Sequence, residues 1–292
     1  MKTKEFAEET NVSVKEKNAY KSTEDALVSV IIPTYNSSET ISQCLKSVKS
    51  QTYRNIEIIV CDNFSDDSTV EIARSYRAKV FLRGKERAAQ KNFGAKQASG
   101  DILYFIDSDF VLERDTVRRC VQALQNSHAV VTVNRSSGKG LWARSMAYKR
   151  DLLAHEESVI AARFIRTKVF FEVGEFDEEL IIGEDIDLHR RLIEEGYGIK
   201  QVDAVEWHIG EPESLRELVL KNYYYAGNLR HYLKKNKRAI VNHLNPFKIS
   251  LMNGIIEQPS LLFFSLAIVQ IVIYITSVLG MLVSKMNTDS YS

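Results

Sequence analysis

Short, mostly apolar runs alternate along the first half of the chain with segments of helical spacing. The apolar runs occupy residues 27–32, 56–61, 79–82 and 102–106. Runs of this length are typical of strands buried on both faces of a sheet. The segment that begins at Ser38 has apolar residues every three or four positions, as expected of a helix. This strand–helix repetition predicts an α/β fold with right-handed crossovers and a mostly parallel sheet.

The second half of the chain continues this pattern less regularly. Apolar runs predict strands at 129–133 and 199–205, and residues 164–173 have a mixed pattern. An acidic, amphipathic segment from Gly183 to Gly196 predicts a further helix. No Gly-x-Gly-x-x-Gly motif follows the first predicted strand, which argues against a dinucleotide-binding dehydrogenase.

Near the C-terminus, residues 261–283 form a stretch of 23 residues without a charged side chain. That length is sufficient to span a bilayer, so the pattern predicts a transmembrane helix at 260–284, with a buried core helix as the alternative. A basic cluster precedes it: Arg230, Lys234, Lys235, Lys237 and Arg238. Basic residues favour the cytoplasmic side, which predicts a single-pass protein of the cell membrane with its main domain in the cytoplasm.

Composition narrows the class of protein further. The chain has 292 residues, 45% hydrophobic and 26% charged, enough for one large domain and an appendage. A net charge of +1 gives no support for a nucleic-acid partner. Cys44, Cys61 and Cys120 are far apart in sequence, so buried thiols in a reducing compartment are expected. The first 25 residues are polar, and we expect a loose arm rather than a signal sequence.

Two carboxylates follow the apolar run at 102–106. Asp107 and Asp109 are separated by one small residue, and the period of a strand places alternate side chains on the same side. Both carboxylates can therefore face one point at the edge where open α/β sheets bind ligands. Two oxygen ligands of this kind suit Mg²⁺ or Mn²⁺, with the phosphates of a substrate completing the coordination. A solvated acidic turn is the structural alternative.

Four motifs in order give the chain a resemblance to a known family. They are Val-Ser-Val-Ile-Ile-Pro-Thr-Tyr-Asn (28–36), Cys-Asp-Asn-Phe-Ser-Asp-Asp-Ser-Thr (61–69), Gly-Asp-Ile-Leu-Tyr-Phe-Ile-Asp-Ser-Asp (100–109) and Gly-Glu-Asp-Ile-Asp-Leu (183–188). Over about residues 27–230 the chain resembles family 2 glycosyltransferases of the GT-A type. The resemblance implies a Rossmann-like, mostly parallel sheet flanked by helices, a UDP- or GDP-sugar donor, Mg²⁺ or Mn²⁺, and inversion at the anomeric centre.

The resemblance also implies a nucleotide site near the first two strands. Backbone groups from Pro33 to Asn36 would line the pocket, Tyr35 would lie against the nucleobase, and Asp62 would hydrogen-bond the base. A packed turn aromatic is the alternative for Tyr35, and a helix cap is the alternative for Asp62.

The resemblance also implies which residues would surround the diphosphate and the metal. Lys91 and Asn92 occupy the place of a family Arg-Asn pair near the diphosphate, although a solvent-facing lysine is nearly as plausible. Asp109 would bind the metal directly, and Asp107 would reach the ribose or the metal. His208 resembles a histidine that completes the metal site; a histidine in that position could equally serve packing.

Asp185 matches the catalytic base of the family, with Glu184 beside the substrate. Inversion by a single displacement requires a carboxylate that takes the proton from the acceptor hydroxyl. Favourable interaction with the helix dipole is the structural alternative for these acids. A phosphate acceptor is already ionised and needs no base, so Asp185 favours a hydroxyl of a saccharide. The predicted membrane span suggests a lipid-linked saccharide and a role in glycan biosynthesis.

Three other functions remain compatible with the sequence. A dolichyl-phosphate-type sugar transferase would share the fold and tolerate loss of Asp185. A processive polysaccharide synthase is disfavoured by the absence of a Gln-x-x-Arg-Trp motif. An inactive, membrane-tethered module that binds nucleotide sugars is the non-enzymatic alternative.

The predicted organisation has five parts. They are a polar arm (1–25), a GT-A catalytic domain (26–230), a basic membrane-proximal segment (231–259), the transmembrane helix (260–284) and a short tail (285–292).

Overall fold

The computed structural model describes residues 23–235, except residues 24, 85 and 154–159, and residues 261–289. Eight strands form one sheet in the spatial order β3-β2-β1-β4-β7-β6-β8-β5. The strands are β1 (Val28–Thr34), β2 (Ile56–Asp62), β3 (Lys79–Leu82), β4 (Ile102–Phe105), β5 (Phe110–Leu112), β6 (Ala129–Ser136), β7 (Phe164–Arg166) and β8 (Ile199–His208). All four apolar runs of the first half form strands, as predicted.

Helices connect and flank these strands in the described part of the chain. They are α1 (Ile41–Lys49), α2 (Thr69–Ser75), α3 (Arg87–Gln97), α4 (Thr116–Ala123), α5 (Gly140–Leu153), α6 (Thr167–Glu172), α7 (Glu184–Glu194), α8 (Leu215–Lys235) and α9 (Leu261–Asp289), with a 3₁₀ turn at Leu124–Asn126. The predicted end of the catalytic domain at residue 230 falls within α8. Residues 1–22, 236–260 and 290–292, which include most of the predicted arm and basic segment, lie outside the described residues.

The sheet is mixed, so the prediction of a mostly parallel sheet is wrong. Strands β1 to β4 are mutually parallel, but β7 runs antiparallel to β4 and β6, and β5 runs antiparallel to β8. Only four residues separate β4 from β5, and in the turn between them the N–H of Phe110 donates to the carbonyl of Asp107 at 3.1 Å. After this turn the chain enters β5, which pairs with β8 at the other edge of the sheet.

The core lies on both faces of the sheet. Val28, Val30 and Ile32 belong to a buried cluster that includes residues of α1 and α4. Ile31 points to the other face and belongs to a second cluster with residues of α3, α6 and α7. The three cysteines are buried and unbonded to one another, as predicted. Burial on both faces explains why these strands are continuous apolar runs in the sequence.

The C-terminal apolar segment forms α9, which packs against α5 and α8. Ser265, Leu266 and Gln270 are buried, and the hydroxyls of Ser145 and Ser265 lie 2.6 Å apart. Within the described ranges, no helix meets the length and hydropathy that a bilayer crossing demands. The transmembrane helix at 260–284 is therefore a wrong prediction, and with it the single-pass location in the cell membrane with a cytoplasmic catalytic domain. The uncharged stretch includes polar side chains that face the domain, which is consistent with a packed helix.

Candidate active site

The carboxyl ends of β1 and β2 carry two turns that are hydrogen-bonded to each other. The backbone N–H of Asn36 donates to Ser65 Oγ at 2.8 Å, and the N–H of Asp66 donates to Asn36 Oδ1 at 3.0 Å. The N–H of Ser38 donates to Asp67 Oδ2 at 3.0 Å. These bonds make the two turns one unit at the rim of the sheet, where the nucleotide site is predicted.

Pro33 and Tyr35 occupy different environments in this rim. Pro33 is buried in β1, opposite Cys61 of β2. The ladder between β1 and β4 ends at Ile31, so the proline, which has no N–H, removes no hydrogen bond between these strands. The side chain of Tyr35 is 61% exposed, so it is not the packed turn aromatic that was the structural alternative. Its ring is available to a ligand at the end of β1.

Asp62 ends β2 and is fully buried. Its Oδ1 accepts hydrogen bonds from Thr34 Oγ1 at 2.7 Å and Ser65 Oγ at 2.6 Å, and its Oδ2 accepts one from the N–H of Ser65 at 2.8 Å. The carboxylate therefore anchors the turn after β2. Its Oδ2 retains capacity for a further donor, and contact with a nucleobase stays a prediction.

Lys91 of α3 lies between two acids that are distant in sequence. Its Nζ donates to Glu184 Oε1 at 3.0 Å and lies 3.5 Å from Asp107 Oδ1. Burial alone would lower the pKa of Lys91, but the carboxylates of Asp107 and Glu184 outweigh burial and raise it. The side chain is only 3% exposed, so the solvent-facing alternative does not apply. Lys91 joins the end of β4 to the start of α7.

The neighbouring Asn92 forms hydrogen bonds within the protein. Its side-chain amide donates to the carbonyl of Phe176 at 2.8 Å and accepts from the N–H of the same residue at 3.0 Å. A third bond reaches Glu178 Oε1 at 3.2 Å. Asn92 therefore holds the loop before α7 against α3, and a diphosphate contact would have to replace these bonds.

Arg87, which the sequence reasoning missed, lies one helical turn before Lys91. Its Nη1 is 3.9 Å from Asp107 Oδ2, and its guanidinium carbon lies 5.6 Å from the centre of the Tyr225 ring. The side chain is 37% exposed, unlike that of Lys91. The i, i+4 spacing of Arg87 and Lys91 was the available signal in the sequence, since in a helix it places both cations on one face. Arg87 is the better placed of the two to meet a phosphate.

Asp107 and Asp109 follow β4, and Asp109 contacts the predicted histidine ligand. Asp109 Oδ2 lies 3.0 Å from Nε2 of His208, the last residue of β8. Asp107 Oδ1 is buried without a hydrogen bond from the described residues. Burial would raise the pKa of Asp107, but Lys91 and Arg87 outweigh it and hold that carboxyl well below its usual range.

A glycine permits the approach of Asp109 to this site. A Cβ placed on Gly210 would lie 2.5 Å from Asp109 Oδ2, so no other residue fits without displacing the carboxylate. Among the described residues, no group of three or more His, Cys, Asp or Glu side chains forms a metal-binding cluster. Asp109 and His208 supply two donors, a carboxylate oxygen and an imidazole nitrogen, of the types that Mn²⁺ accepts.

Glu211, which the sequence did not indicate as a site residue, contacts the second imidazole nitrogen of His208. Its Oε1 lies 3.0 Å from His208 Nδ1, 2.5 Å from Ser136 Oγ and 2.8 Å from Arg150 Nη2. Burial would lower the pKa of His208, but the carboxylates of Asp109 and Glu211 outweigh it and raise that pKa. A carboxylate on the second nitrogen of a metal-binding histidine is a common way to orient the ring.

A buried polar network supports β8 beneath the site. Glu206 is completely buried and accepts hydrogen bonds from Tyr104 Oη and Thr132 Oγ1, each at 2.6 Å. Arg163 forms an ion pair with the same carboxylate. Because a buried carboxylate requires such partners, the network fixes the strand that carries His208.

Asp185 lies in the first turn of α7, next to the buried Glu184. Its Oδ1 accepts a hydrogen bond from the N–H of Ile186 at 2.9 Å. Burial and the neighbouring charge of Glu184 raise the pKa of Asp185 above its usual range. A carboxylate with a raised pKa is a stronger base than an exposed one, as proton abstraction requires.

The third acid of this turn has a structural role. Asp187 Oδ1 lies 2.7 Å from Arg190 Nη2, and its Oδ2 lies 2.8 Å from Arg191 Nε. Arg191 also donates to the carbonyls of Val173 and Glu175. Two acids in the first turn of α7 thus make different contacts: Glu184 pairs with Lys91, and Asp187 holds the helix to the preceding loop through Arg191.

Comparison with known proteins identifies the family of the chain. The model of the family described as Glycosyl transferase family 2 matches residues 29–176, half of the chain. Glycosyltransferase AglE of Haloferax volcanii is 30% identical over 216 residues, covering 67% of this chain and 70% of that protein. A β-1,3-glucosyltransferase of Escherichia coli, WfgD, whose name specifies UDP-Glc and α-D-GlcNAc-diphosphoundecaprenol, is 32% identical over 143 residues, or 44% of this chain and 56% of that protein.

Solved structures support the same fold. The mannosyltransferase PcManGT from Pyrobaculum calidifontis, in complex with GDP-Man and Mn²⁺, superposes with a TM-score of 0.64, 17% identity, and coverage of 88% of this chain and 87% of that one. TarS of Staphylococcus aureus, in complex with UDP, superposes with a TM-score of 0.51, 20% identity, and coverage of 86% and 90%. The chain therefore belongs to glycosyl transferase family 2 and is a glycosyltransferase.

Proposed function

We propose that this glycosyltransferase transfers a sugar from a UDP- or GDP-sugar to a hydroxyl of a saccharide, with inversion at the anomeric centre. One observation supports the proposal: Lys91 contacts both Asp107, just after β4, and Glu184, the first residue of α7 and the neighbour of Asp185. Acids that are far apart in sequence thus border one site at the rim of the sheet.

The donor nucleotide would bind at the linked turns after β1 and β2. The exposed ring of Tyr35 and the backbone from Pro33 to Asn36 border this region, with Asp62 beneath it. Arg87 would offset the charge of the diphosphate, since it is exposed and close to Asp107. Known structures of similar fold contain GDP-Man or UDP, which supports a nucleotide sugar without choosing the base.

A divalent cation fits the donor set at Asp109 and His208, with Asp107 beside them. When bound, Mn²⁺ or Mg²⁺ would supply charge stabilisation for the departing nucleoside diphosphate. The adjacent carboxylate of Asp109 and imidazole of His208 support such a site, as does the Mn²⁺ in the mannosyltransferase structure.

Asp185 would accept the proton of the acceptor hydroxyl as its oxygen bonds to the anomeric carbon. The bond from that carbon to the diphosphate oxygen breaks in the same step, and the nucleoside diphosphate leaves with the bonding electrons. A hydroxyl needs this base, whereas an ionised phosphate acceptor does not. The acceptor we propose is a lipid-linked saccharide, a choice supported by the α-D-GlcNAc-diphosphoundecaprenol in the name of WfgD.

The test is transfer by the wild-type chain and by Asp185→Asn, with Mn²⁺ and a panel of UDP- and GDP-sugars. We expect Asp185→Asn to bind nucleotide as the wild type does and to lose at least about a hundredfold in kcat. Glu195→Gln, on the residue that follows α7, is the matched control and should retain full activity. Equal transfer by Asp185→Asn, above all to bare polyprenyl phosphate, would refute the hydroxyl acceptor and favour a phosphate acceptor.

A further inference from the structure

Phe64 has an unusual backbone conformation for an aromatic residue. Its φ is +53°, in the left-handed region that glycine and asparagine normally occupy, and its side chain is 64% exposed. Both features oppose stability, because the backbone is strained and the ring gains little from burial. A strained, exposed aromatic beside a ligand site suggests that the ring has a role in binding.

The surrounding hydrogen bonds hold Phe64 in this conformation. Residues on either side of it are joined by the bonds from Ser65 to the carboxylate of Asp62, at 2.6 and 2.8 Å. Arg83 contributes a further bond, from its N–H to the carbonyl of Asp62 at 2.8 Å. The turn is therefore fixed before any ligand arrives, as pre-organisation of a binding residue requires.

Gly84 lies against one side of the Phe64 ring. A Cβ placed on Gly84 would lie 3.1 Å from Phe64 Cε2, closer than nearly all real contacts of a Cβ. Gly84 belongs to the connection between β3 and α3, a few residues before Arg87. The ring therefore lies against the connection that leads from β3 to Arg87, the first residue of α3.

Tyr35 directly follows β1, the strand that pairs with β2. Thr34 is in register with Asp62, so Tyr35 and Phe64 leave neighbouring parallel strands that are about 4.8 Å apart. The bond from Asn36 N–H to Ser65 Oγ at 2.8 Å ties their two turns together. Two exposed aromatic rings on a rigid, linked pair of turns are suited to holding a flat ring between or against them.

We propose that Phe64 is a second stacking residue for the nucleobase of the donor, acting together with Tyr35. The inference rests on the nucleotide-sugar donor of the proposed function. Every base presents a π face, so stacking contributes affinity for both UDP and GDP and does not choose between them.

The test is calorimetric titration of the full chain with UDP and with GDP, each with Mn²⁺, for the wild type and three variants. Phe64→Gly and Phe64→Asn remove the ring and suit a positive φ, so their Tm should equal or exceed that of the wild type. Both should lose nucleotide affinity on the order of tenfold, while Phe64→Tyr, which keeps a stacking ring, should retain it.

The outcomes separate this inference from the proposed function. A wild-type chain that binds neither UDP nor GDP would overturn both. A wild-type chain that binds nucleotide, with Phe64→Gly and Phe64→Asn binding equally well, would overturn the role of Phe64 alone. Loss of affinity only in variants whose Tm has fallen would also overturn it, because the ring would then be supporting the fold.

Discussion

Replacement of Lys91 by methionine removes the cation that lies between Glu184 and Asp107. Glu184 is 5% exposed and loses its 3.0 Å hydrogen bond, whereas Asp107 is 25% exposed and keeps Arg87 nearby. Removing one partner of a buried ion pair costs about 3–5 kcal/mol. Because Asp107 retains compensation, we expect Lys91→Met to lower the free energy of unfolding by about 3 kcal/mol, at the low end of that range.

The assay is urea denaturation followed by circular dichroism at neutral pH and in acid. Lys91 lowers the pKa of the Glu184 carboxyl despite burial, so the pair contributes stability above the ordinary carboxyl pKa and loses it as the pH falls. The deficit of Lys91→Met should therefore be largest near pH ~7 and shrink towards pH ~4.

The double variant Lys91→Met/Glu184→Gln is the control for this reasoning. Neutralising the buried acid should recover much of the lost stability, because no uncompensated charge remains. A single variant within about 0.5 kcal/mol of the wild type would refute the buried bridge, since that is the range of ordinary surface substitutions. A deficit that does not depend on pH would show that lost packing, rather than the charge of Glu184, is responsible.

Four further predictions concern the base, the metal and α9. Because the pKa of Asp185 is raised, kcat/KM should fall as the pH is lowered through a pKa above the ordinary aspartate value of 3.8. A pH profile in which kcat/KM falls only at or below 3.8 would contradict this prediction. Glu211→Gln should weaken Mn²⁺ binding, measured by electron paramagnetic resonance, by about 10–100-fold, and unchanged affinity would remove its orienting role. Gly210→Ala should also weaken Mn²⁺ binding, because its Cβ would displace the Asp109 carboxylate; equal affinity would mean that the carboxylate can move freely. Removing residues 261–292 should lower Tm, because α9 covers α5 and α8, and an unchanged Tm would show that this packing is dispensable.

The strands of the first half were the most predictable part of the fold, because each is a short, mostly apolar run. The run at 79–82 became β3 with the predicted bounds, and the run at 102–106 became β4 within one residue. Phe110–Leu112 is too short for periodicity to indicate a strand, and its partner β8 lies almost a hundred residues later. The mixed sheet follows from that pairing and from β7, and neither pairing is encoded locally.

The C-terminal helix shows how an apolar pattern can mislead. An uncharged stretch of 23 residues satisfies the rule for a membrane span equally well when one face packs on protein. Ser265 and Gln270, within that stretch, were signals of a protein-facing side, since both are buried. Their burial depends on α5 and α8, whose positions the sequence does not reveal.

The residues of the candidate site that belong to a recognisable sequence pattern could be predicted. Asp107, Asp109 and Asp185 stood out because acids follow a strand or begin a helix. Arg87 and Glu211 belong to no motif. The spacing of Arg87 from Lys91 was its one signal in the sequence, whereas Glu211 was identified only from its contact with His208 in the structure.

The most direct test of the account is the anomeric configuration of the product, read by nuclear magnetic resonance from a reaction with the donor that the panel identifies. A single displacement assisted by Asp185 predicts a product inverted relative to the donor and joined to a saccharide oxygen. A product with retained configuration would contradict the displacement, and a sugar joined to a phosphate oxygen would contradict the hydroxyl acceptor.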